Sequence, residues 1–200
     1  DEFDIAGWSN PFRRLASDAQ IDSQKRLSFT PLEYRDWWQS LLSYRNQNPQ
    51  AALIGLMLLE TGSRIIELTH LQIGDLRLEH AVPHLLVRNN PRRKLKGVIE
   101  HPVFPMRTKK QLEAYVSQLA DKDEQSPLFP RYATANGNST LSATLKKRFF
   151  ATWGEDSGRN LTSYSARHAF KDRGRAAGVD LAVLDYLMGH KTKQSSVVAQ

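Results

Sequence analysis

Apolar positions recur at helical spacing from residue 30 onward. Thr30, Pro31 and Glu33 form a start signal: a hydroxyl at the N-cap, a proline whose missing N–H costs nothing in the first turn, and a carboxylate that can reach back to the cap amide. The run LEYRDWWQSLLSYR then places Leu32, Trp37, Leu41, Leu42 and Tyr44 at roughly one-turn intervals, which predicts an amphipathic helix. Pro49 opens a second helix, apolar through Leu59, with Gly62 as its stop. A short third helix is expected over Arg64 to Leu71.

The period changes after Asp75. Leu76-Arg77-Leu78 and His84-Leu85-Leu86-Val87 read as short strands, and Asn89-Asn90-Pro91 as a turn. Val98-Ile99 and Val103-Phe104 offer a third strand, interrupted by Pro102. Thr108 with Gln111 repeats the capping-box pattern and opens a helix to about Leu119. Residues 121–139 read as loop. Further helices are expected over 140–153, 163–177 and 181–188, with Asp180 as N-cap of the last and Gly178 and Gly189 as stops. The fold class is therefore mainly α with a small antiparallel β-sheet (α+β) inserted after the third helix. Residues 1–28, acidic and carrying an Asn10-Pro11-Phe12 turn, read as a tail or linker ahead of a domain over 29–200.

Composition narrows the function. With 40% apolar and 24% charged residues the chain has the balance of a globular protein rather than a disordered one. It has no cysteine, which excludes a disulfide scaffold, a thiol nucleophile and a thiolate metal site and fits a reducing compartment. The longest apolar run, Ala51 to Leu59, is too short to span a bilayer, and nothing at the amino end reads as a signal peptide. The formal charge of +7 is unevenly spread. Residues 86–115 and 140–200 are strongly basic, whereas 1–85 and 116–139 are net acidic. Two basic segments point to a polyanion, nucleic acid first and an anionic membrane second; a solvated basic face is the ordinary alternative.

Three short pieces carry the chemistry: Thr61-Gly62-Ser63-Arg64-Ile65-Ile66-Glu67-Leu68 running on to Asp75, Tyr164-Ser165-Ala166-Arg167-His168, and Leu187-Met188-Gly189-His190. Arg64 stands at a helix start after a glycine stop. One helix, a glycine turn and a second helix separate Arg167 from His190, a path that can return both side chains to one place. Two guanidinium groups and an imidazole together suit an oxyanion. The guanidinium fork matches two non-bridging phosphate oxygens in a way lysine cannot, and preorganised donors stabilise charge that grows in a phosphoryl transition state. Each piece also has a plain reading. Arg64 can pair with Glu67 at i, i+3, and a histidine after a glycine can cap a helix C-terminus. The six histidines include no HExxH pair, and the chain has no Walker-type loop and no carboxylate array with metal spacing, so neither a metal site nor a nucleotide cofactor is expected.

In this order the pieces TGSRIIEL…LQIGDL, YSARH and LMGH resemble the catalytic domain of tyrosine recombinases, the phage-type integrases, over roughly residues 30–200. The resemblance implies the tyrosine recombinase (DNA breaking-rejoining enzyme) catalytic-domain fold. It also implies site-specific recombination, integrating or excising a phage or mobile element through a 3′-phosphotyrosyl intermediate, with no metal or other cofactor. Arg64 and Arg167 match the two arginines that clamp the scissile phosphate, and His190 the histidine that hydrogen-bonds a non-bridging oxygen. Glu67 and Asp75 match acidic positions that support the first arginine. The hairpin lysine acting as acid for the 5′ oxygen falls on Lys96, with Lys94 as the alternative. Arg92, Arg93, Lys94, Lys146 and Lys147, and more loosely Arg148, Lys171, Arg173 and Arg175, are expected to meet DNA phosphates. The implied partner is double-stranded DNA, with a homo-tetramer on DNA in the full-length protein, no membrane, and a cytoplasmic setting, bacterial nucleoid-associated or phage-encoded.

Two positions depart from the family pattern. Tyr164 occupies the histidine slot of His-x-x-Arg, and a phenol hydroxyl can donate to phosphate but is a poor base at neutral pH; His168 is expected to pack or brace its helix. The nucleophilic tyrosine expected about nine residues past His190 is not in the chain, position 199 being Ala199, and Tyr186 reads as core packing. The fragment alone is thus expected to be inactive. The rival readings are a catalytically inactive DNA-binding regulator on the same scaffold and, more remotely, a type IB topoisomerase.

Overall fold

The computed structural model describes residues 27–88, 100–103, 107–154 and 161–190. The tail (1–26), the hairpin residues Arg92, Arg93, Lys94 and Lys96, the strand residues Val98, Ile99 and Phe104, and the stretch after His190 lie outside the described residues.

Helix α1 (Pro31–Tyr44) starts as its sequence predicts: the Thr30 hydroxyl accepts the Glu33 amide at 3.2 Å and the Glu33 carboxylate accepts the Thr30 amide at 2.7 Å. Trp37, Trp38 and Leu41 turn inward, while Leu32, counted in the apolar stripe, is largely exposed because it lies in the first turn, off the buried face. Helix α2 (Pro49–Thr61), N-capped by Asn48, is buried at every position from Ala51 to Leu59. A helix apolar all round belongs in the middle. Helices α3 (Ile65–Thr69), α4 (Lys109–Ser117), α5 (Gly137–Trp153) and α6 (Ser163–Ala176) pack around α2 together with α1.

Aromatic packing closes the α1–α5 side. The Trp37 ring stacks on Phe149 with centroids 4.1 Å apart, and Phe29 and Trp153 surround the pair. Helix α5 begins three residues before its predicted start. A Cβ at Gly137 would fall 1.7 Å from the Tyr132 carbonyl oxygen, so only glycine lets the helix open that close to the preceding turn. The third helix is shorter than predicted, ending at Thr69 instead of Leu71, because the chain must turn there into a 3₁₀ turn (Ile73–Asp75) that leads to the sheet.

The described strands form one antiparallel sheet in the order β1 (Leu76–Arg77), β2 (His84–Arg88), β3 (Glu100–Val103). Leu76 pairs with Leu85, and Leu86 with Pro102. Strand β3 runs through Pro102 without the expected interruption. It is at the edge of the described sheet, where a residue without an N–H can be accommodated.

Helix α4 (Lys109–Ser117) shows a different correction. Thr108 makes no side-chain cap, so the Thr108–Gln111 capping box does not form. The Glu60 carboxylate takes its place from α2: it accepts the Arg107 amide, the Thr108 amide (3.1 Å) and the Thr108 hydroxyl (2.8 Å). Burial pushes the Glu60 pKa up in spite of these donors. Glu60→Ala should remove the shared acceptor and destabilise the protein by about 1–3 kcal/mol, read from urea unfolding.

The described residues end with α6 and α7 (Leu181–Leu187), N-capped by Thr162 and Asp180. Leu184 and Met188, one turn apart, face the interior. Tyr186 is therefore not a core residue: it lies on the other side of α7 and is half-exposed, as Leu181 and Val183 are.

Candidate active site

Gly62 ends α2 in the left-handed region (φ 64°), its amide bonding back to the Leu58 carbonyl at 3.1 Å. The reversal sets Arg64 at the N-cap of α3. The Glu67 carboxylate holds it at both ends, accepting the Arg64 amide at 2.7 Å and the guanidinium Nη1–H at 2.9 Å. Glu67 is buried, whereas the Arg64 side chain keeps about a quarter of its surface. The i, i+3 pair thus exists, and it serves to fix a partly open arginine at a helix start.

Arg167, on the second turn of α6, is buried. Its guanidinium donates from Nη1 to the Gly62 carbonyl at 2.5 Å and from Nη2 to the Met188 carbonyl at 2.6 Å. Both acceptors lie at helix C-termini, where carbonyls carry the negative end of the backbone dipoles. One side chain therefore ties the loop that carries Arg64 to the loop that carries His190.

His190 follows the left-handed Gly189 (φ 64°), with its amide on the Asp185 carbonyl at 2.8 Å. Its ring Nδ1 meets Asp185 Oδ1 at 3.0 Å, and Lys171 Nζ donates to the same oxygen at 2.8 Å. Burial lowers the His190 pKa from the ordinary imidazole value, and the charges of Arg167 and Arg64 lower it further against the pull of Asp185. Both guanidinium charges thus reach this imidazole. The Lys171 hydrogen bond, then that of His190, holds the Asp185 carboxyl below its usual range.

That shift has a sign. A histidine with a depressed folded pKa contributes stability that is present above the unfolded value of 6.5 and lost as the pH falls through the folded value. His190→Asn should flatten that acid-side loss in urea midpoints measured across the range.

Arg64, Arg167 and His190 are brought together. Asp75 is buried, and its carboxylate accepts the Gln72 amide at 2.8 Å, bracing the turn after α3. Tyr164 lies on the exposed side of α6, edge-on to the His168 ring at 5.4 Å. A groove of about 460 Å³ runs beside it, lined by Ile65, Ser142, Lys146, Leu161, Ser163 and Tyr164. Lys146 thus shares this groove with Tyr164 and with Ile65, the residue after Arg64. Lys147, about 100° around α5, lines a separate pocket of about 340 Å³ with Arg131 and Arg148.

Several expected phosphate contacts have partners within the fold. Arg148 bonds Ser40 and Ser43, Arg173 bonds the Leu59 carbonyl and covers the Tyr34 ring, and Lys171 pairs with Asp185. The Lys171–Asp185–His190 cluster escaped the sequence reading, although Lys171 is one helical turn from Arg167 and Asp185 five residues before His190. Among the described residues no group of three or more His, Asp or Glu is placed to hold a metal ion, and no helix is long and apolar enough to cross a membrane.

A family model described as the phage integrase family matches residues 34–198. Among curated proteins, the tyrosine recombinase XerA of Pyrococcus furiosus is 25% identical over 147 residues, covering 73% of this chain and 48% of the relative. The chain spans about half the length of this relative. Among solved structures, the XerH site-specific recombinase bound to palindromic difH, a post-cleavage complex, superposes with a TM-score of 0.64 at 16% identity, covering 88% of this chain and 49% of that one. The Tn1549 transposon integrase in complex with transposon right-end DNA gives 0.64 at 20% identity, covering 96% and 66%.

Proposed function

The chain belongs to the phage integrase family, and from that premise we propose that it is the catalytic domain of a site-specific tyrosine recombinase. It cuts and rejoins double-stranded DNA through a 3′-phosphotyrosyl ester. Residues 29–200 form this domain, with 1–28 as the linker from an upstream DNA-binding domain. The reading rests on Arg64, Arg167 and His190 gathered around the two loops that Arg167 ties together.

The chemistry follows from that cluster. As a nucleophilic tyrosine attacks, negative charge grows on the non-bridging oxygens, and two fixed guanidinium groups oppose it with donors that need no reorganisation. Glu67 holds the Arg64 fork in place, Asp75 steadies the turn beyond it, and His190 bonds a non-bridging oxygen. Tyr164 donates its hydroxyl to phosphate from the exposed face of α6. The energy of the broken phosphodiester is held in the new ester, so rejoining needs neither ATP nor metal.

Lys96, with Lys94 as alternative, protonates the departing 5′ oxygen. Arg92, Arg93, Lys94, Lys146 and Lys147 contact neighbouring phosphates, and the full-length protein acts as a tetramer on DNA in the cytoplasm. Because a thiolate leaves without a proton, Lys96→Ala in the full-length protein should slow cleavage of an ordinary nicked duplex far more than of one with a bridging 5′ sulfur. Equal losses on both substrates would remove Lys96 from that role. Incubating the full-length protein with nicked suicide duplexes tests the whole reading. A protein–DNA adduct stable to denaturant supports it, and specific binding with no adduct points to a regulator that kept the scaffold without the chemistry.

A further inference from the structure

Strand cleavage needs a group to receive the proton of the attacking hydroxyl. The slot in which the family pattern has a histidine holds Tyr164 here, and a phenol hydroxyl is a poor base at neutral pH. We propose that Asp185 is a positioning residue that holds His190 in the Nδ1–H tautomer, leaving the Nε2 lone pair to accept that proton. This inference rests on the recombinase reading above.

The geometry carries it. Asp185 grips His190 at two points: its backbone carbonyl takes the His190 amide at 2.8 Å, and its carboxylate meets the ring Nδ1 at 3.0 Å. A ring bound this way has its tautomer set by the partner of one nitrogen, which decides what the other can do. The carboxylate is itself fixed, because Lys171 Nζ reaches the same oxygen from α6 at 2.8 Å. Nothing in α7 alone calls for an acid there. Asp180 already caps the N-terminus, and a carboxylate in the C-terminal half of a helix opposes the dipole. The charged groups around the imidazole are Asp185 on its own element, Arg167 and Lys171 on α6, and Arg64 at the start of α3 with its partner Glu67. Burial first, and the charges of Arg167 and Arg64 after it, favour a neutral ring.

In the reaction the tyrosine oxygen–phosphorus bond forms as the phosphorus–5′-oxygen bond breaks. The tyrosine proton passes to His190 Nε2, and the 5′ oxygen takes a separate proton from the hairpin lysine. The resulting imidazolium then donates Nε2–H to a non-bridging oxygen, and rejoining reverses both transfers.

Long-range ¹H–¹⁵N spectra of the labelled chain at neutral pH test this, with His190 assigned by the signals lost in His190→Gln. The expected pattern is a protonated Nδ1 and an unprotonated Nε2. Asp185→Asn should mix the tautomers and lower the His190 pKa. Lys171→Met, which keeps the carboxylate, should preserve the tautomer and raise that pKa. An Nε2–H tautomer in the parent, or an unchanged spectrum in folded Asp185→Asn, overturns the inference. Sodium vanadate added to the same sample separates the two levels. If it moves the His190 signals in the parent but not in Arg167→Ala, the anion site stands whatever the tautomer. If the tautomer is as expected and vanadate moves nothing, the strand-cleavage reading fails and the proton-acceptor role fails with it.

Discussion

Arg167→Ala should reduce covalent complex formation on a nicked suicide duplex by about three orders of magnitude or more in the full-length protein, while most DNA binding persists. Removing one preorganised oxyanion donor costs about 10²–10³ in rate, and loss of an arginine at a transferring phosphoryl group about 10³–10⁵. Here the residue has a second job, since its fork bridges the Gly62 and Met188 carbonyls and so holds the loops of Arg64 and His190 together. Binding is carried by many phosphate contacts along the duplex and depends less on one buried group. Arg167→Lys makes the distinction sharper. It keeps the charge but cannot span both carbonyls, so cleavage should be nearly as impaired as in the alanine variant. Denaturing gels for the adduct and mobility shifts for binding read the two effects, and retained cleavage by either variant rejects the role given to Arg167.

Gly62→Ala should lower unfolding stability by about 2–5 kcal/mol. Gly62 sits at φ 64°, where an L residue costs about 1–2 kcal/mol. A Cβ there would also lie 2.6 Å from the Phe170 ring on α6, adding about 1–3 kcal/mol of overpacking. Gly178, which ends α6, supplies the control: its φ is also positive (74°) in a helix C-cap, but a Cβ would meet nothing within 4 Å. Gly178→Ala should thus show only the conformational part. Equal losses in the two variants, measured by denaturant midpoints at constant m, would mean that the α2–α6 contact contributes nothing. Because Gly62 also carries the carbonyl that Arg167 binds, its substitution should disturb the site as well as the fold.

Much of the fold was legible in short-range signals, for a physical reason. Thr30-Pro31-x-Glu33 and Asp180 act on amides two or three residues away, so the helices they open form as the sequence predicts. Thr108 and Gln111 use the same local grammar, yet Glu60, 48 residues away, takes the Thr108 hydroxyl, and a distant carboxylate leaves no mark near the cap. Tyr186 failed for a related reason. Which face of a seven-residue helix is buried depends on what it packs against, and here Leu184 and Met188 take the inside.

The site was legible in part. Residue types and order singled out Arg64, Arg167 and His190, and the Arg64–Glu67 spacing foretold their ion pair. The carbonyl partners of Arg167 were not legible, because every residue has a carbonyl and sequence cannot say which one points inward. Lys171 was read as a surface phosphate contact since only the turn between α6 and α7 brings it onto Asp185.

Whether two arginines and one imidazole hold a single phosphate-like group is the central question. A crystal structure of the chain grown with vanadate answers it most directly. One vanadate is expected within hydrogen-bond distance of Arg64, Arg167 and His190 together. An ion seated elsewhere, or three side chains turned away from any common point, would contradict that.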